Sequence, residues 1–206
     1  MIKLSISVPT LQNRHQHCHK LISELERQTN GLPCEVLWLG DLKTMTIGMK
    51  RNHLMSISSG KYVCTVDDDD WVSEDYVSLI LQKVEEDKEV ILFPVSYYVD
   101  GVFQETLNYQ TFRSMSQLAR QGLVPAGSHS IVKPAGRHPI KKLIAEQVKY
   151  SDSNFGEDND YGKEIESRLI SHSHIDKAIY HYYFNKEQSE TWKYNPNPPN
   201  ANESNA

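Results

Sequence analysis

No run in this sequence approaches the roughly 20 apolar residues that a membrane span requires, and a spanning helix is not expected. The opening stretch Met1-Ile-Lys-Leu-Ser-Ile-Ser-Val8 lacks the charged, apolar and small-residue zones of a signal peptide, so the expected location is the cytoplasm. Cysteine is scarce. Cys18, Cys34 and Cys64 are odd in number and widely spaced, which excludes a disulfide framework and fits buried, reduced thiols. A basic excess is missing too: 22 Lys and Arg stand against 27 Asp and Glu, a net charge of −5, and broad affinity for nucleic acid is not expected. What remains is an ordinary globular composition, 38% hydrophobic and 24% charged over 206 residues, enough for one domain with a real core.

Apolar periodicity in the first half alternates between two and 3.6 residues. Strands are predicted at Ile2–Val8, Glu35–Leu39, Tyr62–Val66 and Glu89–Pro94, and helices at Arg14–Gln28, Met45–Ser58 and Ser73–Glu85. Connections this short imply right-handed crossovers and a mainly parallel sheet flanked by helices, whose ligands bind beyond the carboxyl ends of the strands. Thr10, Asp41 and the run Asp67-Asp68-Asp69-Asp70 all fall there. The second half is more irregular. It reads as a hairpin turning at Asp100-Gly101, a helix at Thr111–Gln121, a short strand at Gly127–Lys133 and a short helix at Ile140–Val148. A longer helix, Glu157–Ile170, and a final strand, Ile175–Phe184, follow, and residues 195–206 are expected to be disordered for want of apolar content.

The four consecutive carboxylates after Val66 carry the most chemical information. They repel one another, and a strand end tolerates them where a cation or solvent relieves the repulsion. If the strand stays extended, Asp67 and Asp69 share a face and make a hard oxygen site suited to magnesium, manganese or calcium. The plainer alternative is a solvated loop that caps the next helix, with Ser73 as N-cap. At Glu157-Asp158 a second acidic pair opens a helix on whose face Asp158, Tyr161, Ile165 and Leu169 fall together. Simple capping is again the alternative.

The motifs Ser7-Val-Pro-Thr10, Glu35-Val-Leu-Trp-Leu-Gly-Asp41, Arg51-Asn52, Gly60-Lys-Tyr-Val-Cys-Thr-Val-Asp-Asp-Asp-Asp70 and Phe155-Gly-Glu-Asp-Asn-Asp160, in this order, resemble family 2 glycosyltransferases. The resemblance covers residues 2–95 and recurs at 155–160. It implies the GT-A fold, a Rossmann-like mainly parallel sheet, with a small acceptor-side extension toward the C-terminus. Residues 1–95 would be the nucleotide-sugar-binding half of one domain and 96–194 the acceptor-side and catalytic-base half. The implied reaction is a metal-dependent, inverting transfer of a sugar from a nucleotide-diphosphate donor, a UDP-sugar, to a hydroxyl acceptor. By position, Pro9, Thr10, Asp41, Arg51, Asp67 and Asp68 would bind the donor nucleotide, and Asp67 and Asp69 would form the Asp-x-Asp motif that holds Mn2+ or Mg2+. Asp158, paired with Glu157, would be the general base, with Asp160 as a competing candidate. His181 would complete the metal shell, or else stand as a half-buried strand histidine. A nucleotidyltransferase on a related sheet would normally want a glycine-rich loop after the first strand, and Thr10-Leu-Gln-Asn-Arg14 has none. A non-catalytic module that binds a nucleotide or glycan is the remaining alternative.

Overall fold

The computed structural model describes residues 1–109, 131–132 and 136–185. The helix expected at Thr111–Gln121, most of the strand expected at Gly127–Lys133 and the tail at 195–206 lie outside the described residues. The described chain runs β1 (Leu4–Leu11), α1 (His15–Thr29), β2 (Cys34–Asp41), α2 (Ile47–Ile57), β3 (Tyr62–Thr65), β4 (Trp71–Val72), α3 (Tyr76–Val84) and β5 (Val90–Leu92). It continues through β6 (Val95–Val99), β7 (Val102–Tyr109), β8 (Ile131–Val132), β9 (Ile140–Lys141), α4 (Lys142–Ala145), α5 (Glu157–Glu166), β10 (His172–His174) and β11 (Tyr180–Phe184). No helix among the described residues is long and apolar enough to cross a membrane.

The main sheet has the order β10-β5-β9-β3-β1-β2 and is mainly parallel, as the strand–helix alternation implies, with β9 the antiparallel member. Its centre is β1, buried from Leu4 to Thr10. Leu4, Ile6 and Val8 supply the apolar face. The alternate serines are buried as well, because each hydroxyl has a partner. Ser5 donates to Glu35 (2.6 Å) and accepts from the Gly60 amide (2.7 Å), and Ser7 donates to the Cys64 carbonyl (3.0 Å). Burial of hydroxyls satisfied in this way costs little. α1 covers one side through Cys18, Leu21, Ile22 and Leu25, and all three cysteines are free thiols.

Two elements differ from the sequence expectation. Ile140–Lys141 is a strand inserted between β3 and β5, and only Lys142–Ala145 is helical; the sheet offered backbone partners that the periodicity of so short a segment does not reveal. The last predicted strand, Ile175–Phe184, is extended only as β11 from Tyr180, and β10 lies just before it; the Ile175 amide turns to the Leu92 carbonyl (2.9 Å) and the chain then crosses to a second sheet. That sheet, β4-β11-β6-β7-β8, was not foreseen. It stands where β4 leaves the acidic run, and Asp100 and Gly101 take the positive φ values, 49° and 80°, that the predicted hairpin turn requires.

Candidate active site

The expectation that residues 67–69 stay extended is corrected by the structure. β3 ends at Thr65, and Asp67 to Asp70 form a turn closed by the Asp70 amide on the Asp67 carbonyl (3.1 Å). A turn disperses four like charges that an extended chain would align, and each carboxylate meets different neighbours. Asp67 accepts from Arg51 Nη2 at 2.6 Å. Asp68, 5% exposed, accepts from Thr10 Oγ1 (2.6 Å) and Arg14 Nη1 (2.8 Å). Asp70, fully buried, accepts from the Tyr180 hydroxyl (2.5 Å) and the Tyr183 amide (2.9 Å), so it fastens the turn to the second sheet. Asp69 alone keeps its side chain half in solvent, with Arg14 at 3.3 Å.

The charge states follow from these neighbours. Burial opposes the charge on Asp67, but Arg51, Arg137 and Arg14 hold its carboxyl below the usual range. Withdrawal from water, with the Asp67 and Asp68 charges added, pushes Asp69 up to about 6 against the pull of Arg14. Burial, with Asp69 and Asp67 added, pushes Asp70 well above the ordinary range.

Arg51, on α2, brings the two acidic motifs together. While Nη2 holds Asp67, Nη1 holds Glu157 at the start of α5, also at 2.6 Å. Burial alone would weaken the guanidinium's charge, but Asp67, Tyr150 and Glu157 outweigh it and keep Arg51 firmly protonated. Its flat face lies 5.5 Å from the centre of the Tyr150 ring, which stacks in turn on Tyr161 of α5 at 4.1 Å and 7°. Burial raises the Glu157 carboxyl, Asp158 adds to that, and Arg51 opposes it. Glu157 is thus a buried strut. Asp158, next to it, is half-buried and accepts only the Asn159 amide (2.7 Å) among the described contacts, while Asp160 is exposed and 3.4 Å from Lys163. Tyr161, Ile165 and Leu169 are buried, as their shared face implied.

α2 reaches α5 because its N-terminus docks on the segment just before it. The first amides of a helix lack intrahelical partners; here the Ile47 amide donates to Asn154 Oδ1 (3.0 Å), Gly48 to the Ser153 carbonyl (3.2 Å) and Met49 to its N-cap Thr46 (3.1 Å). Asn52, one turn on, exchanges two bonds with the Tyr150 backbone (2.8 and 3.0 Å). A Cβ on Gly48 would stand 1.9 Å from the Ser151 carbonyl oxygen, so only glycine fits. Gly48→Ala is therefore expected to lower stability by about 1–3 kcal/mol through overpacking, read as a fall in the urea midpoint at unchanged slope.

The other residues expected to bind the donor sit at the ends of β1 and β2. Pro9 and Thr10 are buried and register with Leu39 and Gly40. The carboxylate of Asp41 is held by its own surroundings: it pairs with buried Lys50 and accepts from the Thr44 amide (2.6 Å), the Thr44 hydroxyl (2.8 Å) and the Met45 amide (2.7 Å). Lys50 also donates to the Thr10 carbonyl (2.8 Å), locking the two strand ends together.

His181 stands apart. It lies on the face of β11 opposite to Tyr180, packed edge-on to Tyr98 at 6.2 Å, whereas the Tyr180 hydroxyl meets Asp70. Among the described residues no group of three or more His, Cys, Asp or Glu gathers for a metal, so the structure does not bring His181 to Asp67 and Asp69.

Sequence reasoning missed Lys50, Tyr150 and Arg137. Arg137 lies 5.5 Å from the Tyr180 ring and 5.3 Å from the Tyr182 ring and lends positive charge to Asp67 and Asp70. Lys50 had a signal in its place one residue before Arg51 on a helix facing β1. Tyr150 had none.

Residues 46–137 match the family model described as glycosyl transferase family 2, a stretch that holds Arg51, the acidic turn and Arg137 but not α5. Among solved structures, S. aureus TarS 1–349 in complex with UDP-GlcNAc is 16% identical, with 89% of this chain and 59% of that one covered at a TM-score of 0.62. The same protein in complex with UDP gives 16% identity, 90% and 62% coverage and a TM-score of 0.61. The chain thus spans about three fifths of the length of these structures, and at this identity the likeness is one of fold: a GT-A sheet flanked by helices. No curated protein matches.

Proposed function

We propose that this chain, which carries a glycosyl transferase family 2 segment on the GT-A fold, moves a sugar from a UDP-sugar donor to a hydroxyl acceptor with inversion. The observation that supports the reading is the single guanidinium of Arg51 joined to Asp67 on one side and Glu157 on the other, which brings the acidic turn and the start of α5 to one rim of the sheet. The UDP-GlcNAc and UDP complexes of the TarS structures support a uridine donor. In the step proposed, Asp158 takes the proton of the acceptor hydroxyl while that oxygen attacks the anomeric carbon from the face opposite the diphosphate. The bond from the anomeric carbon to the diphosphate oxygen breaks, and UDP leaves with the electron pair. Pro9, Thr10, Asp41 and Asp68 frame the nucleotide side, the carboxylates Asp41 and Asp68 through the protein groups they fix.

Asp69 and Asp67 would hold Mn2+ or Mg2+. The donor set suits such an ion, because these cations are commonly bound by one or two carboxylates with substrate phosphates completing the shell. Asp69, whose side chain is half in solvent and whose carboxyl is raised by withdrawal from water and then by the Asp67 and Asp68 charges, is the group with a position open to it. When bound, the ion would neutralise charge on the departing diphosphate.

Thermal shift with UDP, UDP-GlcNAc and other nucleotide-sugars, with and without manganese, tests the reading. At a hundredfold excess over Kd a ligand stabilises by about 2.7 kcal/mol, so a clear manganese-dependent rise in Tm is expected for uridine nucleotides. Asp69→Ala is expected to remove the manganese dependence. A Tm that no nucleotide moves, with or without metal, would contradict the proposal.

A further inference from the structure

We infer that Arg51 is a positioning residue that couples the donor side to the base helix, one guanidinium reporting the state of Asp67 to Glu157; the inference rests on the proposed reading of Asp158 as the base. Resemblance alone makes Arg51 a donor ligand. The structure leaves it no surface for that role. Its side chain is 9% exposed, its two terminal nitrogens are committed to carboxylates, Nε is buried without a hydrogen-bond partner among the described residues, and its guanidinium lies over the Tyr150 ring. Whatever Arg51 contributes must pass through the groups it holds.

Those groups belong to segments far apart in sequence, 16 residues away at Asp67 and 106 at Glu157. The helix that carries Arg51 also fixes the approach to α5 at two more points, Gly48 against Ser151 and Asn52 against the Tyr150 backbone. Tyr150 then stacks on Tyr161, three residues after Asp158 on the same helix. The first turn of α5 is therefore placed in part by α2, through Glu157 and through the segment that leads into it. A donor with its cation draws on Asp67, the carboxylate that Arg51 also holds. As that pairing loosens, the fork is left to Glu157 alone, and the first turn of α5 feels the change. By reciprocity, a better-held Glu157 would alter affinity on the donor side. Lysine cannot reproduce this, because one ammonium on a flexible stem does not span two carboxylates as a planar fork does.

Hydrogen exchange in the first turn of α5, residues 157–161, with and without UDP plus manganese, tests the coupling. In the unsubstituted protein UDP and manganese should change exchange there by at least about fivefold, the lower end of typical coupling between sites. In Arg51→Lys the response should vanish, and in the milder Glu157→Gln, which keeps the hydrogen bond but not the charge, it should shrink, while calorimetric UDP affinity stays within about fivefold of the unsubstituted protein. A response that persists in both variants would overturn the inference, as would a loss of UDP affinity in Arg51→Lys far beyond that range, which would make Arg51 a donor ligand after all. Failure of the unsubstituted protein to bind UDP with manganese would instead bring down the functional reading, and the coupling with it. Asp158→Asn turning over normally would remove the base assignment without touching the exchange result.

Discussion

Arg51→Ala is expected to lower the stability of the fold by about 3–5 kcal/mol, because it leaves two carboxylates without their shared cation. For a domain of this size that corresponds to a fall in Tm of roughly 10 °C. Glu157 is the more exposed to this loss in energetic terms, being the more buried: its side chain is 6% exposed against 27% for Asp67. Removal of the guanidinium also takes away the cation from the face of Tyr150. Glu157→Gln provides the contrast. It keeps an oxygen to accept from Nη1 and removes a charge that burial already penalises, so a loss under about 1.5 kcal/mol is expected. Denaturant unfolding of the two variants separates these cases. If Arg51→Ala unfolded within about 1 kcal/mol of the unsubstituted protein, in the range of an ordinary surface ion pair, the bridge would not be the element that unites the site.

Asp158→Asn is expected to cut sugar transfer, or slow donor hydrolysis by water in its place, by about 10²–10⁴-fold. UDP binding should be unchanged. Asparagine keeps the size and can still accept the Asn159 amide that Asp158 accepts at 2.7 Å, so helix capping survives while the proton acceptor is lost. Capping alone, the plainer role for this residue, predicts a small loss of stability and no selective loss of turnover. Asp160→Asn serves as the control: that side chain is exposed and faces Lys163, and its substitution should leave turnover within a factor of about two to three, as for a surface ion pair worth under 1 kcal/mol. Reversal of the two results would move the base to Asp160.

Much of this site was legible in the sequence because its parts stand where periodicity changes. Thr10, Asp41 and Asp67 each follow an apolar run, and a parallel sheet delivers such ends to one rim. α5 announced itself through acidic residues at its first turn and apolar residues on one face. The arrangement inside the acidic run was not legible. Nothing in Asp67-Asp68-Asp69-Asp70 says that Asp70 turns inward to Tyr180, a partner 110 residues away, or that Asp68 turns to Thr10 and Arg14. Four identical side chains have one local propensity, and long-range partners alone distinguish them. The second sheet escaped for a related reason. β4 and β8 have two residues each, too few to show a period, and β11 joins β6 across a long stretch of chain. His181 stands as the half-buried strand histidine that the sequence offered beside the metal reading; which face of its strand met the acidic turn depended on that unseen sheet.

The central claim is spatial: the acidic turn and the start of α5 serve one bound donor. Manganese is paramagnetic, so amide NMR with UDP and sub-stoichiometric Mn2+ reads both places at once. The account predicts UDP-dependent broadening at residues 67–70 and at 157–160 together, with no such effect when diamagnetic Mg2+ replaces Mn2+. Broadening confined to the acidic turn, with the amides of 157–160 as sharp as before, would contradict it.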